Sequence, residues 1–363
     1  MATGFFHDEW TLWHGGGDYA LTLPVGGLVQ PGAGLPESPE SKRRLVNLMR
    51  VSGLMTELRP ASAPPATRED LLRVHPAHYL DRFKALSDAG GGEIGHHAPF
   101  QKGGYEMAAL SAGLAKAAVA QVLRGELTNA YALTRPPGHH CLPDDPNGFC
   151  LLANIAIAIQ AARADGLAQR FAVVDWDVHH GNGTEAIFLD DPDVLTISIH
   201  QERNYPLDTG DADLRGAEGA NINIPLPPGC GDASYHEAME RIVLPALERH
   251  APEMIIVACG YDASALDPLG RMLLSADAFR TMAAQVQVAA DDLCDGRLAL
   301  VHEGGYSEAY VPFCGHAAIA RLARSRILAP DPLAEVIAAR QPGAAWVNHV
   351  SAHLRELAEF FEV

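Results

Sequence analysis

The chain has 363 residues, 48% hydrophobic and 20% charged, and its 27 Lys and Arg against 45 Asp and Glu give a net charge of −18. That is globular composition, and the acid excess argues against nucleic acid as a partner, because phosphates are held by clustered cations. The longest basic run, Lys42, Arg43 and Arg44, reads as a solvated helix face.

From the N-terminus, "MATGFFHDEWTLWHGGG" has no basic stretch followed by an apolar one, so no secretory signal is expected. Residues 15–40 are rich in Gly and Pro and read as an extended loop, ordered because Leu21, Leu23, Val25 and Leu28 are too apolar for a free linker. A helix is expected over 40–58, two more on either side of Pro76, and a small-residue helix in "YEMAALSAGLAKAAVAQVLRG" that ends at Gly125. Short apolar runs at 131–134, 171–176, 194–199, 254–259 and 298–302 then read as strands, with helical patterns at 151–164, 233–250 and 275–293 between them. An amphipathic helix closes the chain over 344–363. Alternating strands and helices imply an α/β fold, a mostly parallel central sheet with helices on both faces, here in a single domain over 1–363. No apolar run approaches 18 residues, so no membrane span is expected. The cysteines, Cys141, Cys150, Cys230, Cys259, Cys294 and Cys314, form no C-x-x-C pair, which fits a reduced cytoplasmic setting.

Four of these strands run directly into polar motifs: "RPPGHHC", "DVHHGNG", "GYDASALDPLG" and "EGGY". Ligands of open α/β sheets bind at the carboxyl ends of strands, so His, Asp and Tyr side chains converge on one rim. Asp177 and His179, two apart at the end of an extended strand, are expected on one face. Asp267 is the best candidate for a third ligand from another strand end. Two carboxylates and an imidazole leave an open position, the pattern of a catalytic metal site; zinc is the default and Fe(II) accepts the same donors. His139 and His140 supply imidazoles for acid–base work near neutral pH, and Asp175 is placed to hold one of their rings. Tyr306, after Gly304 and Gly305, offers a hydroxyl that would stabilise an oxyanion.

These four motifs, in this order, resemble the histone deacetylase superfamily, with its arginase-deacetylase fold. "LTLPVGGLVQP", "RPPGHHCLPD" and "VHEGGYSEAYVPFCG" are most similar to the class II branch and its bacterial histone-deacetylase-like amidohydrolases, and the similarity runs from about residue 5 to about 325. The resemblance implies one Zn(II) per chain on Asp177, His179 and Asp267. It implies His140 as general base and then acid, His139 as its electrostatic partner with Asp175 bonded to it, and Tyr306 polarising the acyl carbonyl. Gly148, Phe149, Tyr205 and Leu269 would line a tunnel for the substrate's alkyl arm. Potassium would bind at Asp175, Asp177, His179 and Ser198, and again at Phe188, Asp191 and Val194. The substrate would be an ε-acetyl-lysine peptide or a related acylated amine, with N-acetylpolyamines as the alternative, and the chain a homo-oligomer, dimer or tetramer.

Within the superfamily, Asn182 stands where class I members carry aspartate. Tyr306 stands where a weakly active vertebrate branch carries histidine. Leu269 stands where the polyamine-specific branch carries a glutamate. One departure is "HQERNYPLDTGDADLRG", shorter and more charged than the Gly/Pro-rich loop expected beside the pocket. Two rivals remain on the sequence: an acyl-lysine binder without catalysis, and an arginase-like hydrolase with two manganese ions.

Overall fold

Eight strands, β1 (Thr3–Phe6), β2 (Arg59–Ala61), β3 (Asn129–Ala132), β4 (Phe171–Asp175), β5 (Val194–Gln201), β6 (Asn221–Leu226), β7 (Met254–Cys259) and β8 (Leu298–His302), form one sheet in the order β6-β5-β4-β7-β8-β3-β1-β2. Every neighbouring pair in it is parallel. The computed structural model describes all residues except Met1, Asp18, 25–28 and 30–33. Val25 and Leu28, two of the apolar residues expected to order the 15–40 loop, lie outside the described residues, and the other two, Leu21 and Leu23, are exposed.

Alternation along the central strands builds two cores. Ala172 and Val174 of β4, Ile255 and Val257 of β7, and Leu298 and Leu300 of β8 face one cluster. Phe171 and Val173, Ile256 and Ala258, and Ala299 and Val301 face the other. Side chains at i and i+2 share a face, so a near-continuous apolar run is what a sheet covered on both sides requires. Each fully buried large aliphatic contributes about 1.5–3 kcal/mol. One face is covered by α1 (Glu40–Ser52), α5 (Ala276–Cys294), α6 (Val311–Leu322) and α7 (Ala344–Phe361), through residues such as Leu45, Phe279, Ile319 and Leu354. The other is covered by α2 (Gly104–Leu123) and α3 (Asn154–Ala164), through Leu114, Val119, Ile155 and Ile159. By length and composition α2 could cross a membrane, but its apolar residues are mostly buried here against the sheet and α3.

Several expected boundaries shift for local reasons. The 40–58 helix breaks at Gly53, whose φ of 90° caps α1. The 233–250 helix forms over 232–250 but widens into a π-helical stretch at Met239–Val243, just before Pro245, which has no N–H to donate. Lys42 is not solvated: it is 0% exposed, and its Nζ donates to Glu37 Oε1 at 2.9 Å. Arg135, also buried, donates from Nε to the same Glu37 oxygen and from Nη1 to the carbonyls of Thr11 and His14. Two cations on one carboxylate thereby tie the N-terminal segment to the turn that begins at Arg135.

Candidate active site

The central motif does not continue as a strand. β4 stops at Asp175, whose Oδ1 accepts the N–H of Asp177 at 3.0 Å, and Asp177 Oδ1 in turn accepts the N–H of His179 at 3.0 Å. Carboxylates thus capture the backbone donors that a sheet ladder would have used. Asp177 and His179 are therefore brought together by two consecutive side-chain turns rather than by sharing a strand face, which corrects the expected geometry.

Three carboxylates crowd this turn. Asp177, His179 and Asp262 hold donor atoms within 4.8 Å of one another, all buried. His179 Nδ1 lies 3.1 Å from Asp177 Oδ1 and 3.0 Å from Asp262 Oδ2, so one imidazole nitrogen faces two anionic oxygens. Asp267 stands outside that trio, its Oδ2 accepting the N–H of Tyr306 at 2.8 Å and its Oδ1 that of Leu269 at 2.9 Å. Among the described residues no Lys or Arg bonds to any of the three carboxylates. Burial raises the carboxyls of Asp262 and Asp267, while the imidazoles of His139 and His179 overcome burial at Asp177 and hold it low. The space is made by glycine: a Cβ on Gly304 would come within 2.2 Å of Asp262 Oδ2 and 2.5 Å of Asp177 Oδ2. More carboxylate than cation, in a cradle cut for it, is a donor set that Zn(II) fits.

The two adjacent histidines differ sharply. His139 Nδ1 lies 2.9 Å from Asp175 Oδ2; burial opposes its charge, but Asp177 and Asp175 outweigh burial and push it up to about 10. His140 is held well below the ordinary imidazole range by burial, then by His139 and His179. Its Nδ1 is 2.8 Å from Asn182 Oδ1, and an amide oxygen only accepts. The hydrogen of a neutral His140 therefore sits on Nδ1, and Nε2 keeps its lone pair. The turn carrying both is clamped by Glu303, whose Oε2 accepts the N–H groups of Gly138 and His139 at 2.6 and 3.1 Å. Burial, then the charges of Asp262 and Asp177, raise the Tyr306 phenol well above its ordinary range, so it keeps its proton.

His140, His179 and Tyr306 line a pocket of about 190 Å³ together with Gly148, Phe149, Tyr205 and Leu269. Phe149 meets Tyr306 edge to face at 5.7 Å, and Tyr205 meets His140 at 5.0 Å between ring centroids. Gly148 leaves the passage open between them: a Cβ there would lie 2.3 Å from His140 Cδ2 and 2.9 Å from Tyr205 Cε1. Asp175 and Ser198 border a separate small cavity under the turn. Phe188 is buried; the carbonyls of Phe188 and Asp191 accept the N–H groups of Asp191 and Val194, and the Asp191 carboxylate pairs with Arg163.

Sequence reasoning did not single out Asp262, Glu303 or Asn182 as parts of the machinery. Each lies inside a quoted motif, and the available signal was the rule that a polar residue at an apolar strand's end needs a partner. Thr22, His97 and Asn204, which border the pocket, carry no such signal.

Comparison with known proteins places the chain by family and fold. Residues 35–322 match the histone deacetylase domain family. The chain is 58% identical to the histone deacetylase-like amidohydrolase of Pseudomonas aeruginosa over 99% of its own length and 96% of that protein's. It is 35% identical to histone deacetylase 8 of Arabidopsis thaliana, covering 78% of this chain and 77% of the relative. The crystal structure of the HDA15 HD domain superposes with a TM-score of 0.84 at 29% identity, covering all of this chain and 97% of that one.

Proposed function

The chain belongs to the histone deacetylase family, within it resembling the bacterial deacetylase-like amidohydrolases, and from that premise we propose that it is a zinc-dependent hydrolase removing acetyl groups from ε-acetyl-lysine or related acylated amines. The observation that carries this reading is that His140, Tyr306 and His179, the last set between the carboxylates of Asp177 and Asp262, line one pocket.

Asp177, His179 and Asp267 would hold the zinc. Asp267 is preferred to Asp262 because its carboxylate is tied to the N–H groups of Tyr306 and Leu269, two residues that line the pocket. Zinc bound there supplies a Lewis acid for the acyl oxygen and lowers the pKa of a water. His140 Nε2 takes a proton from the attacking water and delivers it to the amine nitrogen as the C–N bond breaks, releasing acetate and the free amine. His139, held by Asp175, keeps a positive charge beside His140 and keeps that imidazole neutral until the proton arrives. The Tyr306 hydroxyl donates to the acyl oxygen as negative charge develops there. Phe149 and Tyr205 pack the alkyl arm and exclude water. A potassium ion near Asp175 and Ser198 and a second near Phe188, Asp191 and Val194 belong to the same reading. So does a cytoplasmic homo-oligomer, a dimer or tetramer, supported by the exposed Leu21 and Leu23 beside the pocket-lining Thr22.

The test is kcat/KM for an acetyl-lysine peptide against N-acetylputrescine on zinc-loaded protein. Preference for the peptide is expected, since Leu269 gives a second ammonium no carboxylate. Preference for acetylputrescine moves the assignment to small acylamines.

A further inference from the structure

His180 is buried beside a proposed metal ligand, yet its side chain serves the opposite direction. Nε2 lies 3.2 Å from Glu185 Oε2 and 3.1 Å from Asn223 Oδ1. Both are acceptors, so Nε2 carries a hydrogen, and Nδ1 shares a hydrogen bond with the Thr209 hydroxyl at 2.9 Å. The backbone N–H of the same residue donates to the carbonyl of Tyr205 at 3.1 Å. His180 therefore grips both ends of the turn that carries Tyr205.

Glu185, on α4 (Asn182–Phe188), anchors the grip. Its Oε2 also accepts the side-chain amides of Asn221 and Asn223 at 2.8 and 2.6 Å. These two asparagines, i and i+2 on β6, share a face, and each bonds onward to the pocket segment: Asn221 to Leu214 O at 2.7 Å and Asn223 to Asp211 O at 3.3 Å. His200 of β5 reaches the same segment through Nε2 to Gly210 O at 3.0 Å. Gly210 sits in that seat with φ of 87°, where a Cβ would lie 2.4 Å from His200 Nε2 and 3.0 Å from His180 Cγ. The segment 202–216 contains no helix or strand, so these buried side chains replace the ladder that would otherwise fix it.

We propose that His180 and Glu185 are positioning residues that set the Tyr205 wall of the pocket, and through it the fit of the substrate's alkyl arm, from beneath the 202–216 segment. This rests on the reading of the pocket as an acylated-amine site. Tyr205 packs against His140 at 5.0 Å between ring centroids, whereas the His180 side chain is directed away from the pocket, onto Thr209, Glu185 and Asn223.

The experiment uses the zinc-loaded full chain with Thr209→Val, which removes the hydroxyl from His180 Nδ1 while leaving Glu185 and its asparagines paired. KM for an acetyl-lysine peptide should rise about 3- to 10-fold, the range for one lost hydrogen bond. kcat should stay within about 2-fold and zinc content should be unchanged, because no reacting group has moved. Thr209→Ser should restore KM. Amide exchange across 202–216 should accelerate in Thr209→Val and return in Thr209→Ser. His180→Ala should show a larger KM change where it folds, and Thr209→Val carries the test where it does not. Unchanged exchange in 202–216, or an unchanged KM with a fallen kcat, overturns the proposal. If the wild-type protein hydrolyses no acylated amine, the functional reading fails, and the exchange measurement alone decides whether His180 positions the segment.

Discussion

The floor and the mouth of the pocket are assembled by different means. At the floor, His139 pairs with Asp175, His140 with Asn182 and the 138–139 turn with Glu303, and these side chains are almost wholly withdrawn from water. They come from the ends of central strands that pack on both faces, so their positions are inherited from the sheet. At the mouth, Thr22, His97, Asn204 and Leu269 are half-buried and come from turns and irregular segments outside the central sheet. The difference teaches where chemistry and selectivity reside: a rigid floor tolerates little change, whereas the mouth can be altered without disturbing the reacting groups.

The largest effect is expected at the floor. Tyr306→Phe should lower kcat about 10²- to 10³-fold, as loss of an oxyanion donor does, with zinc content retained and KM little changed; steady-state kinetics with metal analysis reads both. A mild loss would show that the phenol is a wall and not a donor. Next come the two candidate carboxylates. Asp262→Asn should weaken zinc about 10- to 100-fold, as expected for a group that orients a ligand, and Asp267→Asn should weaken it more; competition with a chromogenic chelator measures both. The reverse order would exchange their roles.

The joint between floor and mouth gives a stability effect. Glu37 neutralises Lys42 and Arg135, and Arg135 begins the turn that carries the histidines while bonding to Thr11 and His14. Glu37→Gln leaves two buried cations under-compensated and should cost about 3–5 kcal/mol in chemical denaturation. Burial raises the Glu37 carboxyl, but Arg135 and Lys42 outweigh it, so its folded pKa is lowered. Its contribution is therefore present above the unfolded value near 4.5 and is lost as pH falls through the folded value. Wild-type unfolding should steepen in that acidic window, and Glu37→Gln should flatten it.

The smallest effect belongs to the mouth. Leu269→Glu should shift the ratio of kcat/KM toward N-acetylputrescine about 2- to 5-fold, the scale of one exposed ion pair, with the kcat for acetyl-lysine peptides preserved. A collapse of kcat instead would join Leu269 to the floor.

The floor was the legible part of the sequence. Apolar strands ending in "GHH", "DVHH" and "EGGY" announce polar groups at a rim, and β-sheet connectivity brings them together. The parallel sheet was legible for the same reason, since alternation feeds both cores. What escaped depends on contacts between distant segments. Lys42 looked solvated because its partner Glu37 lies in a Pro-rich loop and Arg135 lies 98 residues beyond that glutamate. Asp177 and His179 were expected on a strand because spacing of two fits a strand, while the turns that place them are made by their own carboxylates. His180 had no visible role, because two of its three side-chain partners, Thr209 and Asn223, are 29 and 43 residues away.

The central claim is tested most directly by following acetate release from an acetyl-lysine peptide by NMR, with the protein metal-stripped and then reloaded with one zinc per chain. The account predicts no acetate without metal, and acetate with deacetylated peptide in equal amounts once zinc is restored. A fully zinc-occupied protein that leaves acetyl-lysine peptides and acetylpolyamines intact would contradict it.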